Sequence, residues 1–288
     1  MRRAAGLCAL LAAGGAQAAV PLPFADTEDA TLSTVEGGDR GFVPILTLDL
    51  RNGDFARGAY DDDGAGLARL PVHVAIGAAA IVSRRADGSP SLALIGQSSN
   101  GFHAPAGQER NAPRTWYESN TIAGLAWQPA NGLTAAALYA IKTSPNGIAP
   151  TSHEASLSIL YAADDGIGRL KPRFAVTRRT RGDGGVYTIA GLSPEWTLAQ
   201  GEDAATIALP IAVGIGWGGF YAAGSGDRAY GSAGLSLARP IRVAGARATI
   251  QAEILALVRD ARLARLDAPE GRTDRVVPLA TLSFRMVL

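Results

Sequence analysis

The sequence predicts an all-β protein, a closed antiparallel transmembrane β-barrel of about twelve strands. Three observations predict it. From Gly41 onward, segments of about ten residues recur in which apolar side chains alternate with polar or small ones, the period of a strand rather than of a helix. Turn chemistry separates these segments. Glycine is abundant, at 35 of 288 residues. Charged residues make up only 18%, against roughly 25% in soluble globular domains. A net charge of +1 points neither to nucleic acid nor to a strongly acidic partner.

The chain opens on what reads as a secretory signal over residues 1–18. Arg2 and Arg3 form a short positive region, Ala4 to Ala13 an apolar one, and Ala16-Gln17-Ala18 supplies the small residues that signal peptidase needs, which places cleavage after Ala18. About ten apolar residues are too few to span a bilayer as a helix. Cys8 is the single cysteine and lies in the removed segment, so the mature chain is expected to hold no disulfide, thiolate metal site or cysteine nucleophile. Residues 19–40 are rich in Pro, Asp, Glu, Thr and Gly without a period, and read as a loose periplasmic segment before a barrel over 41–288.

The candidate strands, in order, are Val43–Arg51, Leu70–Val82, Ser91–Gln97, Tyr117–Gln128, Leu133–Lys142, Glu154–Ala162, Arg169–Arg179, Val186–Leu198, Ala205–Gly219, Ala229–Ala238, Arg247–Val258 and Val277–Leu288. The alternation is cleanest in three of them. Leu157, Ile159 and Tyr161 oppose Glu154, Ser156 and Ser158. Ile250, Ala252, Ile254 and Ala256 oppose Arg247, Thr249, Gln251 and Glu253. Ala280, Leu282, Phe284, Met286 and Leu288 oppose Thr281, Ser283 and Arg285. Asn131-Gly132 between two of these runs asks for a tight hairpin turn. Ser144-Pro145-Asn146-Gly147, Asp164-Asp165-Gly166 and Gly182-Asp183-Gly184-Gly185 mark further connections. Glu253 to Arg265 has some helical spacing, but its first half alternates. Ala204 to Ala223 is apolar enough to suggest a membrane helix, yet Pro210 and four glycines argue for a strand, with Pro210 at a bulge or an unpaired slot.

Strand length separates a membrane barrel from a soluble sandwich. Most segments run about 9–12 residues, the length that crosses a bilayer at a tilt, whereas strands in soluble proteins usually run about 5–6. In lipid every backbone donor and acceptor must pair, so such a sheet must close on itself.

The tail Leu282-Ser283-Phe284-Arg285-Met286-Val287-Leu288 resembles the C-terminal assembly signal of Gram-negative outer-membrane proteins, which usually ends in an aromatic residue where this chain has Leu288. Tyr117-Glu118-Ser119-Asn120, the Asn131-Gly132 hairpin and Lys142-Thr143-Ser144-Pro145-Asn146-Gly147 resemble uncharacterised porin-like outer-membrane proteins of proteobacteria over roughly Tyr117 to Leu288. The resemblance implies an outer-membrane location, a lipid bilayer as surroundings and the barrel-assembly machinery as a partner of the last strand. Its motifs are turn and strand signatures, and they leave the oligomeric state open.

Parity places Asp49, Arg51, Glu118, Lys142, Glu154, Arg173, Arg179, Arg247, Glu253 and Arg285 on the inner face, either lining a conducting pore or forming an ionic plug. Trp217, Phe220 and Tyr221 read as an aromatic girdle at the membrane interface. Gly214 to Gly219 fits a dinucleotide-binding spacing, but no helix start follows, so no cofactor is expected. Asp61-Asp62-Asp63-Gly64 lacks the spacing of a calcium loop and reads as a solvated acidic turn, so no metal is expected. His73 is expected to point into the lumen, and His103 and His153 to be solvated loop residues. Gly234 to Ala238 matches a nucleophile elbow only in part, so no catalytic residue is assigned. The expected function is passive passage of small solutes through a polar lumen. The alternatives are a non-conducting structural or interaction barrel, a barrel hydrolase using a histidine, and a soluble periplasmic lipid-binding barrel.

Overall fold

A computed structural model describes residues 41–53, 55–60, 70–105, 107, 109–182, 184–199, 201, 203–266 and 273–288. The expected signal segment 1–18, the segment 19–40 and the acidic stretch Asp61 to Asp63 lie outside the described residues.

Twelve strands close into one antiparallel barrel. They are β1 (Phe42–Arg51), β2 (Val72–Arg84), β3 (Pro90–Phe102), β4 (Trp116–Ala130), β5 (Leu133–Thr143), β6 (Ser152–Tyr161), β7 (Arg173–Arg181), β8 (Val186–Leu192, continued by Glu195–Thr197), β9 (Thr206–Ala208, continued by Ile211–Trp217), β10 (Arg228–Val243), β11 (Ala246–Arg259) and β12 (Val276–Val287). Each strand pairs with its neighbours in sequence. The seam is a ladder between first and last, from Ile45↔Val287 to Arg51↔Thr281. That seam closes the sheet on itself, as the lipid argument requires.

Up-and-down connectivity sorts the connections onto two rims. One rim, together with Gly41 and Leu288, holds connections that are shorter on average: 85–89, 131–132, 162–172, 198–205 and 244–245. The other holds 52–71, 103–115, 144–151, 182–185, 218–227 and 260–275, which are longer on average. Gly132 sits at φ +75°, as the Asn-Gly hairpin requires.

The two faces of the wall differ as the alternation predicts. Outward positions carry large apolar side chains in the open: Ile76 is 65% exposed, Leu157 60% and Ile254 66%. Contiguous exposure on this scale is foreign to a soluble monomer. Inward positions are buried and hold most of the charges set within the strands.

Departures from the expected elements are local. Ala204 to Ala223 contributes a strand. β9 breaks at Leu209 and Pro210 without losing register, since Ala208↔Ser236 and Ile211↔Ala233 belong to one continuous ladder. Pro210 accepts from the Gly234 amide at 3.1 Å and has no N–H to give back, so it occupies the unpaired slot. The strand expected from Arg169 starts at Arg173, because Gly166–Leu170 forms a 3₁₀ turn. Glu253 to Arg265 divides into the end of β11 and a short helix α1 (Ala261–Leu266). Asp260 caps it by accepting from the Arg262 and Leu263 amides at 2.7 and 2.8 Å.

Candidate functional site

The first long connection does not stay outside the barrel. At Asn52 the chain leaves the wall while its side chain imitates one more ladder position. It donates to Pro278 O at 3.0 Å and accepts from the Ala280 amide at 2.9 Å. Phe55–Ala56 and Ala59–Tyr60 then pair as a small antiparallel hairpin. Arg57 and Gly58 form its tip at φ +53° and +80°, the two left-handed positions of a tight turn. Gly58 packs against the Tyr230 ring, where a Cβ would collide with the ring atoms, so the tip needs glycine for space as well as for backbone angle.

Arg57 fastens the hairpin inside the barrel. Its Nη1 and Nη2 donate to Glu154 Oε1 and Oε2 at 2.9 and 2.8 Å, a bidentate pair. The Tyr221 hydroxyl donates to Arg57 O at 2.7 Å. The Arg57 guanidinium lies 5.0 Å from the Tyr187 ring centre and 5.3 Å from that of Phe220. Arg259 lies 5.6 Å over Phe55. Tyr187, Phe220, Tyr230, Leu257, Leu263 and Val277 form the buried apolar bed, with Phe55 and Ala59 of the hairpin packed on it.

Glu154 is the hub. Lys142 Nζ and Arg179 Nε each lie 3.6 Å from its carboxylate, and its side chain is completely buried. Arg179 also donates to Phe220 O at 2.9 Å and stands 4.5 Å over the Phe220 ring.

A second polar group lines the inner face of β2–β4. A bulge between β3 and β4 turns both Tyr117 and Glu118 inward. His73 Nε2 lies 2.6 Å from the Tyr117 hydroxyl and 3.2 Å from Glu118 Oε2, and Asn120 donates to the other Glu118 oxygen. His103 stacks on Tyr117 at 4.4 Å and gives its Nδ1 proton to Ala104 O at 2.7 Å.

Between the hairpin and the wall lies a cavity of about 160 Å³, lined by Arg51, Arg57, Arg173, Tyr187, Tyr230 and Glu253 among others. Across the barrel, apart from that polar group, an apolar cluster fills the interior. Val43, Ala79, Ala93, Ile122, Ala126, Ala136, Leu138 and Ala140 pack together under β1–β5, with Ile45, Ile81, Ile95 and Val287 against them.

The residues expected inside fall as follows. Asp49, Arg51, Glu118, Glu154, Glu253 and Arg285 are buried on inward positions, and Lys142, Arg173 and Arg179 are half-buried there. Arg247 is exposed on the rim of short turns, one residue into β11, where the wall no longer encloses it. Trp217 is exposed on the outer face and donates to Thr188 Oγ1 at 2.9 Å. Phe220 and Tyr221 correct the expected girdle. Gly218 and Gly219, at φ +60° and +82°, reverse the chain after Trp217, and the next two rings turn inward onto the hairpin. His103 corrects the expectation of a solvated loop residue, since it is buried under the Tyr117 stack. Arg57, Tyr187 and Tyr230 were not singled out from sequence. The available signal was Arg57-Gly58 flanked by Phe55-Ala56 and Ala59-Tyr60, a hairpin pattern only six residues long.

No protein-family model matches the chain, and no curated protein matches it in sequence. Among solved structures it is similar to an outer membrane channel from Pseudomonas putida F1, at TM-score 0.47 and 9% identity over 86% of this chain and 95% of that one. It is similar to a bacterial polysaccharide outer membrane secretin at TM-score 0.44 and 10% identity, over 86% and 97%. It is also similar to LpxR from Salmonella typhimurium at TM-score 0.41 and 9% identity, over 84% and 99%.

Proposed function

We propose that the protein is an outer-membrane β-barrel that passes small solutes along a lumen narrowed by the 55–60 hairpin. The observation that carries this reading is the division of the wall: large apolar side chains exposed outside, and charged groups around a cavity inside. The exposed belt supports the bilayer as surroundings and disfavours a soluble lipid-binding barrel. In this orientation the rim with the 131–132 and 244–245 turns faces the periplasm and the rim with the 52–71 and 260–275 connections the exterior. Export through a signal cleaved after Ala18, and assembly through β12, belong to the same reading.

Planar-bilayer recording tests it. The purified barrel should show discrete conductance steps, and replacing Phe55–Tyr60 by a short Gly-Ser link should enlarge them. The apolar packing under β1–β5 and the Arg57–Glu154 pair favour a second reading, a non-conducting structural barrel. A folded protein that stays silent with and without the hairpin would decide for that second reading. Recovery of the mature chain in an aqueous periplasmic extract would refute both.

A further inference from the structure

Glu253 stands on the inner face of β11, opposite Ser236 of β10 and Thr281 of β12. It is only 8% exposed, and it lines the cavity beside the hairpin. No described residue gives its carboxylate a hydrogen bond or a close ion pair. Arg173 and Arg51 attract its charge and Asp49 opposes it, all without a hydrogen bond to it. Nor are its oxygens sealed into the wall, as Asp49 Oδ1 and Gln251 Oε1 nearby are. Burying a carboxylate without donors is costly, and folded proteins give such groups partners. The partner this one can reach has to come from the cavity.

The other walls are mostly apolar. Phe55 closes the cavity from the hairpin, and Ile189, Leu257 and Leu279 close it from the barrel wall. Tyr187 and Tyr230 line it too, with their hydroxyls hydrogen-bonded to each other at 2.6 Å. The volume is about 160 Å³, and an apolar cavity of about 150 Å³ takes up benzene. A mostly apolar chamber with a polar group aimed into it is the usual form of a small-molecule site.

The geometry points to a binding site for a small molecule with an apolar body of about six or seven carbons and one O–H or N–H donor, which the Glu253 carboxylate accepts. The site goes beyond the passage reading, because it can fill whether or not the lumen conducts.

Titration calorimetry of the refolded barrel in detergent, against detergent alone, tests it with cyclohexanol, cyclohexylammonium and methylcyclohexane. The first two should give saturable heats, and the tighter of them tells a neutral donor from a charged one. Methylcyclohexane lacks the donor and should bind about tenfold more weakly, the effect of losing one hydrogen bond to a charged group. Glu253→Leu should weaken the donor-bearing probes by about the same factor and leave methylcyclohexane unchanged. Ser232→Leu fills the chamber from its wall and should abolish binding of all three. Heat-modifiable gel mobility shows which variants are folded, and either one suffices for the test. Saturable heat from none of the probes overturns the site. Methylcyclohexane binding as tightly as cyclohexanol, or cyclohexanecarboxylate binding more tightly, overturns the role of Glu253. A barrel silent in planar bilayers that still binds cyclohexanol would refute the passage and keep the site.

Discussion

The barrel fills its interior in two different ways on its two sides. Under β1–β5 the wall packs against itself: the buried cluster is largely alanine, with Ile122, Leu138 and Val43 between. Under β8–β12 the wall supplies Gly191, Gly214 and Gly216 on inward positions, and the space they leave admits the rings of Tyr187 and Tyr230 and then a hairpin from the first long connection. Gly214 itself lies against both tyrosine rings. Small residues alone therefore do not mean an open lumen. They set where a foreign element can enter, and the charges around Glu154 fix how that element is held.

The comparison breaks most severely at Glu154. Glu154→Ala leaves Arg57, Lys142 and Arg179 facing one another without their anion. It should cost about 3–5 kcal/mol, the range for breaking a buried ion pair by removing one partner. Urea unfolding followed by heat-modifiable gel mobility would read this, and a loss below 1 kcal/mol, on the order of a surface pair, would show that the cluster does not hold the hairpin side together.

The opposite side should fail through packing alone. Ile122→Ala removes a fully buried side chain from the apolar cluster and should cost about 2–5 kcal/mol. Single-channel conductance should stay unchanged, since this region does not border the cavity. A conductance change equal to that of a hairpin variant would erase the distinction between the two sides.

Arg57→Ala should cost less than Glu154→Ala, about 1.5–3 kcal/mol for hydrogen bonds to a charged group, because Glu154 keeps Lys142 and Arg179. It should nevertheless raise conductance more than any other single substitution named here, since it frees the hairpin tip. Unaltered conductance would mean that the aromatic bed holds the hairpin without the ion pair.

The smallest effect belongs to the helix beside the hairpin bed. Partial burial tends to raise the pKa of the Asp260 carboxyl, but backbone N–H donors from Ala229, Leu263 and Arg262 outweigh it and hold the carboxyl below its ordinary value of 3.8. A depressed folded pKa means that the stabilisation is complete above the unfolded value and drains away as pH falls through the lower folded one. Asp260→Ala should cost about 1 kcal/mol near neutrality. The difference from the unmodified protein should vanish in strong acid, and a pH-independent difference would rule out the ionised cap.

The wall was legible from sequence because lipid outside and an enclosed interior impose one rule on every strand. Side chains two apart share a fate, so Leu157, Ile159, Ile250 and Ile254 announced the outer face and Glu154, Gln251 and Glu253 the inner one. Pro210 announced its own gap, since a missing N–H can be tolerated only where no partner awaits it. Parity stops carrying information where the chain turns. Trp217 obeys it, while Phe220 and Tyr221, beyond two left-handed glycines, do not. Arg57 was illegible for another reason. Its partner Glu154 is 97 positions away, and nothing local in Phe55 to Tyr60 says that a surface connection will fold back inside.

The ladder between β1 and β12 joins residues 230 or more positions apart, from Ile45 with Val287 to Arg51 with Thr281. Joining strands so far apart in sequence carries the largest entropic penalty of any pairing in the fold. Until both strands are in place, the growing sheet offers two raw margins able to recruit other chains. Closure of the wall thus hangs on its most distant pairing, and neither margin is covered without β12.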